Sequence, residues 1–148
     1  MSGYVPNALR RAVAARAHGL CEYCLIHEDD TFFGCEIEHV ITAKHGGGTT
    51  ENNLAQACAF CNRFKGSDIG TLSTTRASIV PLFNPRVDRW HEHFQLAADG
   101  VTIVGLTEVG EATARLLQLN HPDRILERQT LREVNRYPSA PARSVMEP

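Results

Sequence analysis

Four of the five cysteines fall into two pairs, Cys21-x-x-Cys24 and Cys58-x-x-Cys61. Each pair has the spacing that puts two thiolates on one ion. Together they would complete a tetrahedral sulfur shell, which prefers zinc and leaves no open position for chemistry. Two redox Cys-x-x-Cys motifs, or merely buried thiols, are the alternatives; two matched pairs favour metal. Cys35 is left over and reads as a small buried strand residue. Between and just after the pairs lie Glu38-His39, Asn53, Asn62, Arg63 and Lys65. Taken singly, each has an ordinary reading: a satisfied strand histidine, a loop cap, a helix cap, solvated cations. His91 and His93 could mimic a metal pair on one strand, but no third ligand is evident.

The elements that must position these groups are short. Asn7 to about His18 reads as a helix capped by Asn7, with Leu9, Val13 and Ala17 near one face and Gly19 ending it. Residues 31–41 are aromatic and β-branched, and Cys35, Ile37, His39 and Ile41 alternate against Glu36, Glu38 and Val40 as in a strand. Lys44 to Thr50 is a glycine-rich loop. Residues 59–66 suit a short helix closed by Gly66. The 33 residues between Cys24 and Cys58 exceed usual finger spacing, so a whole ββ element must fit inside the closed loop. Further on, His91–Leu96 and Val101–Leu106 read as a hairpin around Ala98-Asp99-Gly100. Thr107 caps a helix to about Leu119, and a second helix runs from Asp123 to about Asn135. Residues 137–148, with three prolines, read as a disordered tail.

A chain of 148 residues holds one domain rather than two. No apolar run approaches the roughly 20 residues that span a bilayer, and the N-terminus lacks the layout of a signal peptide. A cytoplasmic setting, where thiols stay reduced, is expected. The net charge of −2 does not announce a nucleic-acid binder. Its distribution is more informative: Arg10, Arg11 and Arg16 precede six acids within residues 21–40, and a basic excess follows with Lys44, Arg63, Lys65 and Arg76.

The ordered run from Glu36-Ile-Glu-His through the glycine loop and Glu51-Asn-Asn-Leu to Cys58-Ala-Phe-Cys-Asn-Arg-Phe-Lys-Gly resembles the HNH endonuclease motif with its zinc knuckles, over about residues 20–68. Residues 81–136 resemble, less specifically, the C-terminal extension of one bacterial HNH subfamily. The resemblance implies an α+β fold: a small ββα-metal core stapled by four cysteines, an N-terminal helix, and a C-terminal hairpin plus two helices. It implies His39 as general base, which suits an imidazole with pKa near ~6.5, and Asn53 holding the His39 ring by hydrogen bond. Glu38 and Asn62 become metal ligands, with phosphate oxygen and water completing the shell. Asn62 stands where the family name has its second histidine, giving an H-N-N variant. A carboxylate with an amide oxygen suits Mg²⁺ or Mn²⁺ better than catalytic Zn²⁺. Lys65 and Arg63 are candidate phosphate contacts, with Lys44 and His45 as outer ones. The expected function is a DNA endonuclease or nickase acting on double strands. The alternatives are an inactive zinc-ribbon nucleic-acid-binding module and an RNA-directed nuclease. Any sequence selectivity would come from residues 81–136.

Overall fold

Three two-stranded antiparallel sheets, six α-helices and three short 3-10 turns are found in residues 4–148, the part of the chain described by the computed structural model. Helix α1 spans Asn7–Arg16. Pro6, not Asn7, takes its cap position, as suits a residue with fixed φ and no N–H to satisfy. Val13 is buried with Val5 and Leu54, and Leu9 and Ile37 pack beside them, so the apolar stripe read from the sequence faces the strands that follow. Gly19 then turns the chain with φ +74°, and a Cβ there would lie 2.5 Å from the His27 ring.

Strand β1, Cys35–His39, pairs with β2, Leu54–Cys58, in the register Cys35 opposite Cys58 and His39 opposite Leu54. The pairing carries the metal knuckle at one end and His39 at the other. Helix α2, Ala59–Lys65, follows directly, capped by Cys58, whose Sγ accepts the Cys61 N–H at 3.5 Å. Gly66 closes α2 at φ +51°. This is the expected ββα unit in an α+β fold. A hairpin of β3, Gly70–Leu72, and β4, Ile79–Pro81, comes next; nothing in the sequence pattern singled it out.

In the C-terminal part, two expectations are corrected. The first strand of the 91–106 hairpin is shorter than expected: Trp90–His93 is a helical turn, α3, and only Phe94–Leu96 forms β5, paired with β6, Ile103–Gly105. The cause is the burial of Trp90 and Phe94, four residues apart, with ring centroids 5.2 Å apart. Residues four apart stand about 13 Å apart along a strand but side by side on a helical turn, so rings this close require the turn. His91 and His93 therefore do not share a strand. Helices α4, Glu108–Leu116, and α5, Pro122–Glu133, follow with Thr107 and His121 as their caps.

The second correction concerns residues 137–148, which are not a disordered tail. Ser139 caps helix α6, Ala140–Met146, and Pro141 sits in its first turn, where proline starts a helix rather than breaking one. Tyr137 and Ala142 are buried in the main core, which runs continuously from Leu20 through the cysteines to Ala142. The extension and the knuckles thus share one interior. No helix among the described residues is long and apolar enough to cross a membrane.

Candidate active site and metal centre

The four knuckle cysteines, at most 1% exposed, gather their sulfurs within 4.8 Å of one another. Zinc at the usual Zn–S length of ~2.3 Å sets tetrahedral sulfurs about 3.8 Å apart, and Cys24 and Cys58 stand 3.8 Å apart. The cluster fits a structural zinc ion. Cys35 lies just outside it, half-buried rather than buried; burial and the neighbouring sulfurs push its thiol pKa up.

Three side chains of the extension close over the knuckle. Arg124 of α5 donates from Nη2 to Cys24 Sγ at 3.1 Å and from Nη1 to Cys58 Sγ at 3.5 Å. Its guanidinium lies over the Phe60 ring, 4.9 Å from the centroid. Burial opposes the Arg124 charge, yet the thiolates of Cys24, Cys58 and Cys61 outweigh it and hold its pKa above the ordinary value. Trp90 Nε1 donates to the Tyr23 carbonyl and Tyr137 Oη to the Cys24 carbonyl, both at 2.9 Å.

At the far end of β1 lies a cleft of about 370 Å³ lined by Glu36, Glu38, His39, Thr42, Asn62, Arg63 and neighbouring backbone. The structure therefore brings Glu38, His39 and Asn62 together. Glu38 is 5% exposed. Its Oε1 accepts from Tyr23 Oη at 2.5 Å, and its Oε2 lies 3.6 Å from Lys65 Nζ, close enough to pair and too long for a hydrogen bond. Burial pushes the Glu38 carboxyl above the ordinary carboxylate range, against the pull of Lys65 and the Tyr23 hydrogen bond. Asn62 donates from Nδ2 to Glu36 Oε2 at 2.6 Å, which leaves its Oδ1 as the atom that could take a cation.

Two expected roles are corrected. Asn53 does not touch the His39 ring: it accepts from Ile41 N at 3.0 Å and donates to the carbonyls of Ile41 and Gly48, each at 2.8 Å. It ties the glycine loop back onto the end of β1. Gly47 permits that closure, since a Cβ there would sit 1.7 Å from the Ile41 carbonyl oxygen. The ring is held instead by Thr49, whose Oγ1 is 2.8 Å from His39 Nε2. Lys65, in turn, is 1% exposed and donates to the Val40 carbonyl at 2.8 Å, so it faces Glu38 and the core rather than phosphate. Arg63 is exposed at the cleft, while Lys44 and His45 are exposed on the 43–45 turn, outside its lining. Lys65→Met should destabilise the fold by roughly 3–5 kcal/mol, because it leaves a buried carboxylate without its counter-ion. Denaturant titration checks this. A phosphate contact would instead lose nucleic-acid affinity and leave stability within ±0.5 kcal/mol or so.

Sequence reasoning missed Glu36, Tyr23, Thr49 and Arg124. Only Glu36 left a signal, sharing the two-residue period of Glu38; the other three reach their partners across 10 to 100 residues. Residues 21–68 match the family model described as HNH endonuclease. No curated protein and no solved structure matches the chain. The knuckles, the ββα unit and the cleft all fall inside the matched segment, so over residues 21–68 this chain is similar to the HNH endonucleases.

Proposed function

We propose that this chain is a metal-dependent endonuclease or nickase that hydrolyses phosphodiester bonds in double-stranded DNA. The observation that carries the reading is His39. Its Nε2 is engaged by Thr49, while its Nδ1 has no hydrogen-bond partner among the described residues. One ring nitrogen is thus anchored and the other is left to take a proton. The ring is only 5% exposed, so the water it deprotonates is one bound in the cleft rather than bulk solvent.

Glu38 and Asn62 are the residues that would hold Mg²⁺ or Mn²⁺. Glu38 Oε2 is buried without a hydrogen-bond partner, with only the Lys65 ammonium 3.6 Å away beside it, and both donors are hard oxygens. The knuckle cluster is the one gathering of three or more His, Cys, Asp or Glu donors found among the described residues, so the oxygen site needs phosphate and water to complete it. A bound divalent ion supplies Lewis-acid stabilisation of the charge that develops on the phosphate and the leaving oxygen. Around it, His39 removes the proton of the attacking water, Arg63 faces the phosphate, and Asn53 keeps the loop beside the ring. The thiol cluster must stay reduced, in keeping with a cytoplasmic setting.

One observation favours the alternative of a binding module without chemistry: Glu38 is locked by Tyr23 and Lys65 beneath the cleft. A plasmid assay separates the two. Supercoiled DNA incubated with the zinc-loaded protein should turn to open circles with Mg²⁺ or Mn²⁺ and stay closed with neither ion added. Uncut plasmid under every metal and salt condition would end the enzyme reading, and cutting of single-stranded RNA alone would move the substrate to RNA.

A further inference from the structure

We propose that Thr49 is the positioning residue of the general base: its hydroxyl oxygen accepts the Nε2–H of His39 and commits the lone pair of Nδ1 to proton abstraction. The proposal rests on the nuclease reading and adds which nitrogen works and what selects it.

The contact itself is compatible with two tautomers. If Thr49 donated its hydroxyl proton to Nε2, the ring proton would sit on Nδ1, which is shielded from solvent and has no acceptor among the described residues. A buried N–H without an acceptor is a rarer state in proteins than an under-satisfied acceptor. With Nε2–H donating to Thr49 Oγ1 at 2.8 Å, the ring proton is satisfied and Nδ1 carries the lone pair. Thr49 is exposed, so its own hydroxyl proton can turn to solvent.

The same arrangement survives the reaction. As the water O–H bond breaks, its proton passes to Nδ1 and its electron pair to the oxygen that attacks phosphorus, while the P–O bond to the leaving 3′ oxygen breaks and its electron pair stays on that oxygen. The ring is then an imidazolium with two N–H groups, and Nε2–H still donates to Thr49. A hydroxyl that had donated to Nε2 would have to break that bond at the moment of proton transfer. The geometry thus favours the base in both its states.

The loop places Thr49 by construction. Asn53 binds Ile41 on one side and Gly48 on the other, and Gly47 lies against the Ile41 carbonyl where no side chain fits. The next residue along, Thr49, is thereby delivered to the ring that ends β1. This gives Asn53 an indirect part in the chemistry: it holds the loop that holds the histidine.

The test uses ¹⁵N-labelled, zinc-loaded full chain and reads the His39 ring by long-range ¹H–¹⁵N correlation, above the pH range in which imidazole titrates. Plasmid nicking with Mn²⁺ is measured in parallel. Wild type should show the Nε2–H tautomer. Thr49→Val should give a mixed or reversed tautomer and lower the nicking rate roughly ten- to hundredfold, the usual cost of losing a supporting hydrogen bond at a reactive site. Thr49→Ser should restore both. An Nδ1–H tautomer in wild type overturns the proposal. So does a Thr49→Val protein whose ring is unchanged, whatever its activity, or one whose tautomer changes while nicking does not. Wild-type protein that cuts nothing would sink the nuclease reading, and the tautomer spectra would still report on the Thr49 contact.

Discussion

A chelator that strips zinc should unfold the whole chain, including the helices outside the HNH segment. Each of the three sheets has only two strands, none longer than five residues, and a lone two-stranded pairing is marginal in water. Structural zinc contributes an apparent ~10–16 kcal/mol at neutral pH, as large as the ~5–15 kcal/mol net stability of an ordinary domain. Losing it removes the reason for β1, β2 and α2 to assemble. The extension would go with them, because Arg124 is satisfied by Cys24 and Cys58, and Trp90 and Tyr137 by the knuckle carbonyls. Trp90 is the only tryptophan, and its indole sits on the knuckle, so its fluorescence reports the docking of the extension. We expect far-UV circular dichroism and Trp90 emission to change together on chelation and to recover together when Zn²⁺ is restored. Helical signal and Trp90 emission that both persist after zinc is removed would show that the extension stands alone.

The second large effect belongs to His39. His39→Ala should lower the rate of plasmid nicking about 10²- to 10⁴-fold, the range supplied by a positioned general base. Stability should fall by far less than for Lys65→Met. The ring makes one side-chain hydrogen bond, to a loop threonine, and such a bond is worth about 1 kcal/mol net. His39 is therefore a cleaner probe than Glu38, whose removal would also strand the buried Lys65. Affinity for Mn²⁺ should be unchanged in His39→Ala, since the ring acts on water and Glu38 and Asn62 hold the ion. Loss of Mn²⁺ binding together with activity would make His39 a ligand instead of a base.

These expectations show where local pattern suffices. The thiolate knuckles, the β1 strand, the short helix after Cys58 and the capped helix at Thr107 follow from spacing and capping over a few residues, and the structure contains each of them. The cleft's Glu38, His39 and Asn62 were legible as an ordered series and are brought together. The readings that failed are those in which a residue's environment is set by distant chain. Lys65 looked like a phosphate contact from its place in the ordered motif; the Val40 carbonyl and Glu38 turn it inward. Asn53 looked like a partner for the histidine, while its hydrogen bonds go to the backbone of the loop it closes. The proline-rich end looked disordered because its burial depends on the knuckle carbonyl that Tyr137 meets 113 residues away.

The sequence by itself determined the four-thiol cluster and the ordered polar residues that line the cleft, since both reside in residue types at short fixed spacing. Tertiary structure alone decided which cations are structural, which residue steadies the imidazole, and that the extension is built onto the sulfur cluster. The physical reason is common to all three: a buried charge or a free hydrogen-bonding atom takes its role from whichever partner satisfies it, and here those partners arrive from elsewhere in the chain.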